Sequence, residues 1–119
     1  MPGTYRDLIA WQKAMQLVLF IYRLTAQFPR DELFGLVSQL RRAAVSVPSN
    51  IAEGQGRHSS NEFRHFLRNA IGSLMEIETQ VSIAEMLGYL HAANAKEALA
   101  KTSELGRVLN GLINSLATT

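Results

Sequence analysis

Between residues 63 and 84 the chain sets an apolar side chain at alternating steps of four and three: Phe63, Leu67, Ala70, Leu74, Ile77, Val81, Ala84. A repeat near 3.5 residues marks one buried edge of a helix that runs almost parallel or antiparallel to its neighbours, with a shallow left-handed twist. Such an edge needs partners of similar length. Leu36, Leu40, Ala44, Val47 and Ile51 keep helical spacing before it, and Ala95, Ala98, Thr102, Leu105, Leu109, Leu112 and Leu116 keep it afterwards. A first helix carries two apolar series, Leu8, Trp11, Met15, Val18, Tyr22 and Ala10, Ala14, Leu17, Ile21, Leu24.

The breaks between these segments are chemically marked. Thr4 lies three residues before Asp7, a variant of the capping box, and opens the first helix at about residue 7. Phe28-Pro29 ends it, because the residue before a proline is pushed away from helical geometry. The second helix runs from about residue 33 to the glycines at 54 and 56, and Ser59 with Glu62 caps a third that starts at about residue 60. Gly88-Tyr89-Leu90 closes the third, and a fourth follows from His91, or from Asn94 with Glu97 three residues on. No stretch reads as a strand and no internal repeat is present. The expected fold is all-α: one domain over residues 1–119, an antiparallel up-down-up-down four-helix bundle whose second helix contains Pro48.

Pro48 removes a backbone donor and crowds the Ala44 carbonyl, at a cost of about 3 kcal/mol in a helix interior. The same helix carries a polar stripe, Gln39, Arg42, Ser46, Asn50 and Glu53, expected to bond the freed carbonyl and to pair across the bundle. A tight turn near residue 58 would place residues whose numbers sum to about 117 at one level, so Glu53 should face Arg64 and Arg41 and Arg42 should face Glu76 and Glu78. Arg42, Ser46, Asn50, Glu53, Arg64 and Glu76 are therefore expected to form a structural polar network that fixes helix register. The competing reading, an acid and base in a cleft, has no nucleophile or oxyanion site beside it.

Other chemistries find little support. With no cysteine, disulfides and thiolate chemistry are excluded. Glu62 and His65 have the Glu-x-x-His spacing of di-iron bundles, but no second such motif exists, so no metal, cofactor or catalytic set is expected. Residues 17–22 form the longest apolar run, far short of the roughly 20 residues of a membrane span. The N-terminus lacks the pattern of a secretory signal, which makes the expected location cytoplasmic.

A formal charge of +2 is modest, but Arg57, His58, Arg64, His65 and Arg68 gather around the turn between the second and third helices with only Glu62 opposing them. Clustered cations are the minimum for phosphate binding, and Arg57, His58 and Arg68 are the candidate nucleic-acid-binding residues. The alternative is a solvated end of the bundle. No interleaved aromatic series points to base recognition. The first helix's second apolar face is either simply buried or a subunit interface. Ile83, Met86, Leu87, Tyr89 and Leu90 point in several directions, more than a monomer can bury, so a homo-oligomer is expected.

Leu8-Ile9-Ala10-Trp11-Gln12-Lys13-Ala14-Met15, Phe28-Pro29, Gln39-Leu40-Arg41-Arg42-Ala43-Ala44, Ser46-Val47-Pro48-Ser49-Asn50-Ile51-Ala52-Glu53-Gly54, Phe66-Leu67, Gly72-Ser73-Leu74-Met75-Glu76 and Leu87-Gly88-Tyr89-Leu90 are similar to a bacterial family. The chain resembles the four-helix-bundle proteins encoded within intervening sequences of large-subunit ribosomal RNA genes. That family includes the accessory variability determinant of diversity-generating retroelements, a basic ring-shaped homopentamer that binds a reverse transcriptase and nucleic acid. The resemblance implies a non-enzymatic bundle in a symmetric ring, a pentamer, with RNA, DNA or protein partners. Two functions of different class follow: an oligomeric adaptor that touches nucleic acid, or an oligomeric scaffold that binds another protein and no nucleic acid.

Overall fold

In the computed structural model, which describes residues 3–116, Thr4 is the N-cap of the first helical turn. Its hydroxyl accepts the Arg6 N–H and the Asp7 carboxylate accepts the Thr4 N–H, each at 3.1 Å. The expected capping box is present, but it closes a single 3-10 turn, Tyr5–Asp7, because Leu8 is extended. Helix α1 therefore begins two residues later than expected, at Ile9–Thr25. Helices α2 (Leu36–Gln55), α3 (Ser60–Met86) and α4 (Ala92–Ser115) follow, with a short 3-10 turn at Arg30–Glu32. Ser59 caps α3 by accepting the Glu62 N–H at 3.0 Å. Helix α4 starts from His91 without a side-chain cap, so the Asn94 start is not used.

Neighbouring helices contact in the order α1–α2, α2–α3, α3–α4 and α4–α1, the closed cycle of a four-helix bundle 47 × 22 × 21 Å in extent. Their directions follow from individual pairs. Gln80 donates to Gln39 and Ser46 meets Ser73, so α2 and α3 are antiparallel. Glu78 accepts from Thr102 while Arg64 donates to the Leu116 carbonyl, so α3 and α4 are too. The stripe on α3 is the spine of the core: Leu67, Ala70, Leu74, Ile77, Val81 and Ala84 are all fully buried, with Phe63 half-buried at the end. On α1 the buried series is Ala10, Ala14, Leu17 and Ile21, ending in Thr25 rather than Leu24, whereas Met15 and Tyr22 of the other series are exposed.

Pro48 lies inside α2 and is buried. Ser46 and Asn50 of the polar stripe do bond carbonyls around it, but not the one anticipated: Ser46 reaches Ala43 and Asn50 reaches Ser46, while Ser49, outside the stripe, reaches Val45. Each hydroxyl or amide bonds the carbonyl three or four residues back on its own helix, and Ala44 O has no side-chain donor among the described residues.

Helices α2 and α3 approach each other closely at Gly54. A β-carbon there would sit 2.6 Å from Phe66 Cβ and 3.0 Å from Phe63 Cδ1, so α2 and α3 close on each other only because the side chain is a hydrogen. At the opposite end of the bundle, Gly88 takes a positive φ of 79° and lets Tyr89 N–H bond back to the Ala84 carbonyl at 2.9 Å, the Schellman ending of α3. That turn delivers the Tyr89 hydroxyl to Glu32, 2.8 Å away, while the other carboxylate oxygen of Glu32 accepts the Leu36 N–H at 3.0 Å and caps α2. One carboxylate thus clasps the two loops at this end.

Gly54→Ala raises helix propensity yet is expected to destabilise the fold by about 1–3 kcal/mol, because the added methyl meets α3. Urea unfolding of the variant with an unchanged or raised midpoint would refute the close contact. The clasp predicts the pH dependence of stability. The Leu36 N–H, and after it the Tyr89 hydroxyl, hold the Glu32 pKa below its ordinary value. A carboxylate depressed in the folded state stabilises above its unfolded pKa of about 4.3 and loses that contribution as pH falls through the folded value. The same hydrogen bond raises the Tyr89 pKa, so its contribution is present below the unfolded value of about 10 and lost as pH rises through the folded one. Glu32→Gln should flatten the acid limb of a Tm-against-pH curve and Tyr89→Phe the alkaline limb. Curves parallel to the parent on both limbs would count against the clasp.

Candidate functional site

The polar stripe of α2 and the basic turn that follows it meet at one end of the bundle, and the register between α2 and α3 decides which side chains pair there. Ser46 with Ser73 and Gln39 with Gln80 place residue numbers that sum to 119 at one level, not 117. The midpoint of the turn lies one residue further along than the position of the glycines suggests, which rotates every cross-helix pair by about 100° on each helix.

The expected Glu53–Arg64 pair does not form. Glu53 points outward and pairs with Arg57 at 2.8 Å on its own chain, four residues on. Arg64, only 6% exposed, lies on the α4 side of α3 and donates to the Leu116 carbonyl at 3.2 Å and to the Asn61 side chain. A guanidinium at the C-terminal end of α4 satisfies a carbonyl that the helix leaves open and faces the negative end of its dipole. Arg42 and Glu76 are both exposed and share no ion pair. Arg41 turns to α1 instead, donating from Nε to Thr25 Oγ1 at 2.9 Å with its guanidinium 4.5 Å from the Tyr22 ring centre. Glu78 turns to α4 and accepts from Thr102 at 2.8 Å. What joins α2 to α3 is therefore neutral: the Ser46–Ser73 hydroxyl pair, continued to the Asn69 carbonyl, and the Gln39–Gln80 amides. Asn50 stays on its own helix, bonded to the Ser46 carbonyl.

At the turn itself Arg57 stacks its guanidinium 4.9 Å from the Phe66 ring centre, and the His65 ring meets the same phenyl edge-on at 5.5 Å. Arg68 and His58 are exposed. The 3-10 turn at the N-terminus packs against α2 and adds a further cation to this end. Arg6 lies 5.5 Å from the Tyr5 ring and 5.4 Å from the Trp11 ring, which meet each other edge-on at 5.3 Å. Sequence spacing missed this group, because positions 5, 6 and 11 share no helical period and only the 3-10 turn before α1 brings them together. The end is thus more aromatic than the sequence suggests, and Arg57 and Arg6 each lie against a ring while remaining exposed. Glu62 and His65 are exposed, and no group of three or more metal-ligating side chains gathers among the described residues. No described helix is long and apolar enough to cross a membrane.

The profile of the 23S rRNA-intervening sequence proteins matches residues 6–111. The chain belongs to this family. A crystal structure of a protein of unknown function from the S23 ribosomal protein family of Bacteroides thetaiotaomicron VPI-5482 superposes with a TM-score of 0.80, covering 90% of this chain and 100% of that one. Identity between the two is 18%, so the likeness is one of fold. No curated protein matches the chain at a significant level. In this intervening-sequence protein the Asn50-Ile51-Ala52-Glu53-Gly54 block has a packing explanation for most of its residues. Ile51 is fully buried, Gly54 admits α3, and Asn50 bonds the turn before it, leaving Glu53 as the member that faces outward to Arg57.

These contacts separate two residues that the sequence pairs with each other, Arg64 and Glu53. Arg64→Ala is expected to lower stability by about 1–3 kcal/mol through an open carbonyl at the end of α4. Glu53→Ala, which breaks only a surface pair, should change it by less than about 1 kcal/mol. Equal losses in thermal unfolding would instead favour a shared Glu53–Arg64 contact in solution.

Proposed function

We propose that this protein is a non-enzymatic, homo-oligomeric adaptor of the bacterial cytoplasm that makes weak, sequence-independent contacts with RNA or DNA through the turn end of its bundle. The observation that supports this best is the gathering of exposed guanidinium groups there: Arg68, Arg57 on Phe66, and Arg6 on Tyr5 and Trp11. Phosphate contacts release condensed counterions whatever the base sequence, and planar cations already stacked on rings lose little side-chain freedom on binding. One copy offers too few such groups for useful affinity. Family resemblance implies a pentameric ring, and five copies would raise the effective concentration of these ends along one strand.

The second reading, an oligomeric scaffold for another protein, draws support from the Glu53–Arg57 pair, which neutralises one of the cations the first reading needs. Salt-dependent titration separates them. Arg57→Ala with Arg68→Ala should weaken RNA and DNA binding uniformly across sequences and reduce the slope of log affinity against log salt by about 1 per contact removed. Glu53→Ala, which releases Arg57, should strengthen binding. An intact oligomer that binds neither RNA nor DNA at low salt would leave the protein scaffold as the function.

A further inference from the structure

Among the apolar surfaces that the described residues leave uncovered, two lie on either side of the α2–α3 seam. The first is a groove of about 770 Å³ along α1 and α2, walled by Tyr22, Leu33, Phe34, Val37 and Val45, in which Phe34 is 93% exposed. The second is a ridge on the outer side of α3, where Met75, Ile83 and Met86 recur at helical spacing, with Met86 87% exposed. We propose that the groove receives the ridge of a second copy of this chain, in a head-to-tail contact that repeats around a closed ring. This deepens the oligomeric reading above and rests on it.

Register and charge choose a second copy as the occupant. Residues of α2 and α3 whose numbers sum to 119 share a level. By that rule Val37 lies within one residue of the height of Ile83 and Val45 of Met75, and Phe34, two residues before the start of α2, continues the series toward Met86, the last residue of α3. A rotation about an axis parallel to the 47 Å length of the bundle leaves height unchanged, so each groove residue meets a ridge residue of the next copy at its own level. The rims are complementary as well. Exposed Arg42 borders the groove and lies within one residue of the level of exposed Glu76 beside the ridge. A foreign protein would account for one of the two surfaces, whereas a neighbouring copy covers both with a single kind of contact. Two different surfaces make the contact heterologous, which closes a ring rather than stopping at a two-fold dimer.

Phe34→Glu and Met86→Glu alter side chains that touch little of their own bundle, so circular dichroism should show both folded. Sedimentation should show the parent chain well above its 13.2 kDa monomer mass, and each variant largely monomeric. Mixing the two variants should then yield a one-to-one dimer, because the intact groove of one matches the intact ridge of the other. The absence of native cysteine permits a second measurement. A chain carrying both Phe34→Cys and Met86→Cys should oxidise to a ladder of covalent oligomers, while each single variant should not. A parent that is oligomeric while both glutamate variants keep its mass would overturn this contact and spare the oligomer. Dimers from Phe34→Cys alone would overturn it in favour of a two-fold groove-to-groove contact. A monomeric parent would overturn the oligomeric reading itself.

Discussion

The line along which α2 passes α3 governs the rest of this molecule. At Gly54 the two helices approach so closely that a methyl group has no room, and further along the Ser46 and Ser73 hydroxyls meet directly. Small side chains allow the approach, and the approach sets the register. Because helix packing interlocks side chains at close quarters, a shift of one residue along either helix would rotate its faces by about 100° and put core positions into solvent. Pro48 sits within this contact region, and the hydroxyl and amide bonds to neighbouring carbonyls accompany it.

Charge placement follows from that register rather than from charge proximity in the sequence. Desolvating an ion pair between two tightly packed helices gains little, and the α2–α3 seam is closed by hydroxyls and amides instead. The arginines leave the seam. Arg41 goes to α1, Arg64 to the end of α4, and Arg57 to Glu53 and the Phe66 ring at the surface. The acidic residues leave it as well, Glu78 to Thr102 on α4 and Glu32 to the clasp with Tyr89 at the far end. The positive character of the turn end is the residue of this sorting, reinforced by Arg6 from the N-terminal 3-10 turn.

The two ends and the two sides of the bundle therefore carry different chemistry. One end is stacked with arginines and aromatic rings, and the other is locked by a carboxylate and a Schellman turn. The outer faces of α1, α2 and α3 retain large apolar side chains such as Leu19, Phe34, Met75 and Met86, while the outer face of α4 is polar, with Lys96, Ser103 and Asn110 exposed. The polar outer face of α4 thus contrasts with the apolar side chains left exposed around the other three helices.

The alternation of fours and threes along α3, the capping pairs and the glycine and proline breaks were enough to establish four helices, their order and the core stripe, because these depend on periods and local backbone chemistry confined to a few residues. The same local signals singled out Pro48, whereas Gly54 read only as the mark of a helix end and not as a point of close approach. They did not reveal that the Thr4–Asp7 box closes only a 3-10 turn, since that depends on the extended backbone of Leu8. Nor did they yield the partners of Glu53 and Arg64 or the meeting of Arg6 with Tyr5 and Trp11. Those pairings turn on a register offset of one residue and on the direction in which each helix face points. Both are set by how closely two helices can approach, a property of the packed interface and not of either helix alone.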